Sequence, residues 1–141
     1  GAEAARRKPE VARLVDAGRS VLMIDAFQTG SAVAPRDRSV RNFLTFNKTD
    51  DANRVQDILT ALAWLNTGLA DDKRRSSAPL QLIGLGKAAV WCVFAAAVSR
   101  QAVDLEADLG GFAGTDQDYI DSFFVPGIQR AGGLNAARYH R

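Results

Sequence analysis

The chain has 141 residues, one domain's worth and enough to bury a core. Its 18 basic and 16 acidic residues leave a formal charge of +2, and 47% hydrophobic with 24% charged residues is an ordinary globular balance. That balance excludes a disordered polyelectrolyte. The local basic runs Arg6-Arg7-Lys8, Arg36 to Arg41 and Lys73-Arg74-Arg75 lack interleaved aromatics, so they read as solvated helix ends and loops, not as a nucleic-acid surface.

The single cysteine, Cys92, rules out a disulfide framework and reads as a small core residue within an apolar helix. No apolar run approaches the ~20 residues of a membrane span, and no signal peptide is visible. The expected setting is therefore cytoplasmic without membrane or nucleic-acid partners, a truncated N-terminus being the alternative.

In chain order, Pro9 stands where a first helical residue belongs, with Val11, Leu14 and Val15 as an apolar stripe and Gly18 as the stop. Ser20-Val21-Leu22-Met23-Ile24-Asp25 is a continuous apolar run of strand length, the pattern of a strand buried on both faces in a parallel sheet. Asp25 and Gly30 would then lie in a loop at that strand's carboxyl end. Such loops hold ligand contacts in α/β sheets, or they hydrogen-bond their own backbone. Residues 31–48 have no clean period and contain Pro35 and many charges. They read as an excursion loop with one helical turn around Val40 to Leu44.

The strongest helix follows. Asp50 is its expected cap, Val55, Ile58, Leu59, Leu62 and Leu65 recur at helical spacing, and Gly68 ends it. Arg54 and Asp57 lie on its polar side as a surface ion pair, and both Trp64 and Trp91 read as core residues. Residues 70–77 form a polar, basic loop. Pro79 to Trp91 reads as a short apolar strand, a glycine-tight turn and the first turn of a helix that runs to about Ser99. Residues 102–109 alternate, with Val103, Leu105, Ala107 and Leu109 against Asp104, Glu106 and Asp108, as in a strand with one wet face. Thr115 is an N-cap for a helix over 116–123, and the tail from Pro126 to Arg141 is expected to be partly irregular. The alternation of helices and strands implies an α/β layered domain over residues 1–141 with a parallel sheet.

The central turn has two chemical readings. Gly84-Leu85-Gly86-Lys87-Ala88-Ala89 matches G-x-G-x-x-A after a strand and at a helix start. In that reading Gly84, Gly86 and the Lys87 N–H would cradle a phosphate at the helix N-terminus, and Asp104, Glu106 or Asp108 would hold a ribose. The Walker pattern fails, because no Ser or Thr follows Lys87. Aligned instead as the nucleophile elbow G-x-S-x-G, the turn puts Gly86 at the nucleophile position, where no acyl-enzyme can form. No set of His, Cys, Asp or Glu has metal-ligand spacing, and no cofactor is implied.

Asn47 to Leu59 resembles the helix before the elbow in α/β-hydrolases of the acetyl xylan esterase-like or dienelactone hydrolase-like kind. Leu82-Ile83-Gly84-Leu85-Gly86 and Phe123-Phe124-Val125-Pro126-Gly127-Ile128 are similar to further segments of that group, so the resemblance runs from Pro9 to Leu134. It implies a three-layer αβα sandwich with a mainly parallel sheet and an ancestry in ester or peptide hydrolysis. Carried over residue by residue, it puts the nucleophile on Gly86, an oxyanion donor on the Lys87 N–H and a possible acid on Asp108. The catalytic histidine comes last in that family. The single histidine here, His140, stands at the chain's end and reads as an exposed terminal residue.

In the family's strand order, a strand that precedes Pro9 lies between those ending at Asp25 and Ile83. A gap there would leave buried backbone groups unpaired. The expectation is a sheet completed by another chain or by the rest of a longer polypeptide, with homo-oligomers possible through exposed edges, unless the order differs. Three functions stay open: an esterase-like domain inactive by itself, a nucleotide-binding module, and an assembly protein pairing through its sheet edges.

Overall fold

The computed structural model describes residues 1–68 and 80–139. The basic loop expected at 70–77, Pro79 and His140 lie outside the described residues. The chain divides into two compact units, Gly1–Lys48 and Thr49–Arg141.

In the first unit, α1 (Ala2–Arg6) is a short helix of good helix formers, and α2 spans Pro9–Asp16 with proline at its start, as expected. Gly18 ends α2 at φ 73°. The Arg19 N–H donates to the Leu14 carbonyl at 3.0 Å and the Gly18 N–H to that of Val15 at 2.9 Å, the paired bonds of a Schellman cap.

The strand expected at 20–25 does not form. Residues 19–26 are neither helix nor strand, Leu22 is 47% exposed, and the described strand pairing lies wholly in the second unit. A continuous apolar run reports a wish for burial, but a strand also needs a neighbour for its backbone groups. Side chains organise this region instead. Gln28, itself at φ 57°, pairs its amide with both backbone groups of Ala34, donating at 2.8 Å and accepting at 3.2 Å. The Arg36 guanidinium lies 4.9 Å from the Phe27 ring centre and 4.7 Å from that of Phe43, and donates to the Lys48 carbonyl at 2.9 Å. The helical turn expected at 40–44 forms later, as α3 (Phe43–Phe46), because Asn42 adopts the left-handed conformation at φ 60° and a helix cannot run through it.

In the second unit, α4 (Asp50–Gly68) is capped by Thr49, not by Asp50. The Thr49 Oγ1 accepts from the Ala52 N–H at 3.2 Å, and Thr49 is buried. Ile58 and Leu62 are buried, with Val55, Leu59 and Leu65 half-buried beside them. Trp64 is 58% exposed, which corrects its reading as core. At ~100° per residue it points nearly opposite to Leu62.

Strand β1 (Leu80–Gly84) pairs in parallel with β2 (Val103–Ala107), in register from Leu80 opposite Val103 to Gly84 opposite Ala107. The crossover is α5 (Ala88–Val98), whose residues from Ala89 to Ala95 are all buried and which packs against α4 and both strands. A helix apolar all round is a core helix. Along β2, half-buried Val103, Leu105 and Ala107 alternate with exposed Asp104 and Glu106, the wet face read from the sequence.

Helix α6 (Asp116–Asp121) begins with the expected Thr115 cap, a full capping box in which the Asp118 carboxylate accepts the Thr115 N–H at 2.9 Å and Thr115 Oγ1 accepts that of Asp118 at 3.2 Å. Within the tail, α7 (Gly133–Tyr139) follows a run of turns and packs on α5. Phe94 stacks on Phe123 at 4.3 Å between ring centres, joining α5 to the loop after α6. Among the described residues the chain is thus mixed helix and strand, with a two-stranded parallel sheet in its second unit.

Candidate functional site

The turn that joins β1 to α5 is built by two glycines with different jobs. Gly84, the last residue of β1, is buried, and a Cβ there would sit 2.6 Å from the Ala89 Cα and 3.1 Å from the Cys92 Cβ. Only a residue without a side chain lets α5 start so close to the strand. Gly86 is the opposite case. It is exposed at φ 58°, and a Cβ on it would meet nothing within 4 Å. Glycine is needed here for the backbone conformation, not for space.

The turn closes through the Ala88 N–H to the Leu85 carbonyl at 3.2 Å and the Ala89 N–H to the Gly86 carbonyl at 3.0 Å. Two of the N–H groups at the start of α5 are taken up in this way. Lys87 stands at the helix start in αR conformation (φ −59°, ψ −24°) with its side chain exposed. The positive end of the helix dipole lies at this turn.

Asp108 directly follows β2. Because Gly84 pairs with Ala107, Leu85 and Asp108 leave the sheet side by side at its carboxyl end. Asp108 is exposed, and its Oδ1 accepts the Gly110 N–H at 2.9 Å, so part of this carboxylate shapes its own loop. Asp104 and Glu106 lie within β2 itself, on its exposed face, and Glu106 accepts from the Gln81 amide at 3.3 Å. The fold therefore brings Gly84, Gly86, Lys87 and Asp108 to one end of the sheet.

The remaining candidates have structural partners. Burial pushes the Cys92 thiol up to about 12, so this sulfur stays protonated and unreactive. Asp25 accepts from the Ser31 Oγ at 2.7 Å, the Ser31 N–H at 3.1 Å and the Ala2 N–H at 2.5 Å. These bonds, led by the Ser31 hydroxyl, hold its carboxyl below the usual 3.8 and fix the loop that contains Gly30. Among the described residues no group of three or more His, Cys, Asp and Glu forms a metal site. No helix among them is long and apolar enough to cross a membrane.

One cluster escaped the sequence reading. The Asp51 Oδ1 accepts from the Trp91 indole N–H at 2.9 Å and from the Arg54 guanidinium at 2.9 Å, while Oδ2 accepts the Phe124 N–H at 2.8 Å. Arg54 also lies 4.7 Å over the Trp91 ring. This carboxylate ties the first turn of α4 to α5 and to the loop after α6. Its signal in the sequence, an Asp three residues before an Arg, is indistinguishable from an ordinary helix-surface pair.

These features define a parallel β–α–β unit with a glycine turn at the carboxyl end of its first strand. No family model, curated protein or solved structure matches the chain.

Proposed function

We infer that the strand–turn–helix over residues 80–98 is a nucleophile elbow of the α/β-hydrolase kind without its nucleophile, in an esterase-like domain that does not turn over esters. One observation carries this reading. Gly86 holds a left-handed backbone at the carboxyl end of a parallel strand and at the mouth of a buried helix, yet offers open space where a reactive side chain would stand. The neighbouring Lys87 N–H is the oxyanion donor in this reading, and Asp108, at the end of the adjacent strand, holds the place of the acid. Further strands, supplied by another chain or by a longer polypeptide, would extend the two-stranded sheet into the three-layer sandwich of that family.

The test is hydrolysis of a p-nitrophenyl ester panel by purified protein. The expected rate equals the buffer background. Hydrolysis well above it, lost in Gly86→Pro, would overturn the reading.

A nucleotide-binding module is the second reading, favoured by the 2.6 Å approach that makes Gly84 obligatory and by the place of Asp108 at the end of β2. It predicts heat on titration with NAD, FAD or ATP, and an absence of heat and of thermal shift with all three eliminates it. A third reading, assembly through sheet edges, draws on the sheet having only two strands among the described residues. Light scattering from a stable, well-folded monomer would contradict it.

A further inference from the structure

A cavity of about 210 Å³ opens between the segment that leads into α6 and the turns that lead into α7. Its walls include Gly114, Tyr119, Gln129, Gly132, Gly133 and Asn135. The room depends on the three glycines. A Cβ at Gly133 would sit 2.5 Å from the Tyr119 hydroxyl, one at Gly132 would sit 2.7 Å from the Ala136 Cβ, and one at Gly114 would lie 3.1 Å from the Leu134 Cβ. All three adopt positive φ, at 53°, 98° and 80°.

The Tyr119 hydroxyl is the second observation. Tyr119 is only 5% exposed, and its oxygen accepts the Leu134 N–H at 2.7 Å. A phenol also carries one proton to donate. Among the described residues no acceptor takes it, although a buried donor left without one is costly. The proton is thus available to an acceptor oxygen inside the cavity. The lining residues are all uncharged. Gln129 and Asn135 bring carboxamides, and the Gln129 Nε2 is anchored on Asp116 Oδ1 at 2.6 Å. Nothing in the wall would compensate a charged guest.

We propose that this cavity is a binding site for a small uncharged molecule that presents a carbonyl oxygen to the Tyr119 hydroxyl and hydrogen-bonds the amides of Gln129 and Asn135. The site is separate in its residues from the glycine turn at 84–87, so it stands or falls independently of the elbow reading.

The test is an NMR titration of isotopically labelled protein with acetamide, and with acetate as a charged probe of the same size. Acetamide is expected to shift the backbone amides of Gly114, Gly133 and Asn135 along one saturable curve, with acetate at least tenfold weaker. Tyr119→Phe removes the donor and is expected to weaken acetamide at least tenfold. Because that variant also deprives the Leu134 N–H of its acceptor, exposed Asn135→Asp serves as the second variant. It leaves that bond intact and is expected to weaken acetamide several-fold by placing a carboxylate beside the carbonyl. Equal binding of the two probes, or shifts that never saturate, would overturn the proposal and leave solvent as the occupant.

Discussion

Replacing Asp51 with alanine tests the packing of the second unit at its most connected point. The substitution removes the acceptor for the Trp91 indole N–H, the Arg54 guanidinium and the Phe124 N–H at once. Trp91 is only 9% exposed, and the side chains of Arg54 and Asp51 are 18% and 13% exposed, so little water reaches the orphaned groups. A buried donor without a partner costs about 1–3 kcal/mol, and breaking a buried ion pair on one side about 3–5 kcal/mol. These costs overlap, and the exposed Phe124 N–H recovers most of its share from water, so the expected loss is about 3 kcal/mol. Urea denaturation followed by far-UV circular dichroism reads it directly. Asp51→Asn keeps one acceptor oxygen and is expected to lose about half as much. Adding Trp91→Phe to Asp51→Ala removes the orphaned indole donor, so the double variant should fall short of the sum of the two single losses. A loss under about 0.5 kcal/mol for Asp51→Ala, or strict additivity with Trp91→Phe, would refute the account of Asp51 as the tie between α4, α5 and the loop after α6.

The two glycines of the central turn should respond differently to alanine. Gly84→Ala drives a Cβ against the backbone of α5 and is expected to cost about 3 kcal/mol, whereas Gly86→Ala adds a methyl to open space and should cost only about 1 kcal/mol of left-handed backbone strain, both read by thermal or urea melts. Cys92, with its thiol pushed up to about 12, should resist a disulfide reagent at pH 8 in the native protein and react fully once unfolded. Hydrogen bonds, first those to Thr115, hold the Asp118 carboxyl below its ordinary 3.8. A depressed folded value means its contribution is complete above 3.8 and disappears as pH falls through the lower folded value. Asp118→Asn should therefore lower stability at pH 6, and the difference should shrink as pH falls below 3.8 and through the lower folded value.

Much of the second unit was legible because local rules set it. The Thr115 capping box, the alternation along β2 and the unbroken apolarity of α5 each name their structure without reference to distant residues. The glycine turn was legible in place and shape, and the structure added the division of labour between Gly84 and Gly86. The register of β1 with β2 puts Asp108 beside the turn. What failed were readings that needed a partner. The run at 20–25 has the composition of a buried strand but no strand beside it among the described residues. Residue type alone makes Trp64 a core residue, whereas its angular position on α4 turns it to solvent. Asp51 was missed because its three donors come from segments up to 73 residues away, and Tyr119 because its hydroxyl matters only once Gly114, Gly133 and Leu134 surround it.

The central claim is that the turn at Gly86 keeps an elbow's backbone and no reactive atom. Intact-mass spectrometry of the purified protein after treatment with a fluorophosphonate tests it most directly, because such a probe marks an activated hydroxyl whatever ester the site prefers. The account predicts an unmodified mass after prolonged exposure. A stoichiometric phosphonyl adduct, absent after prior denaturation, would contradict it.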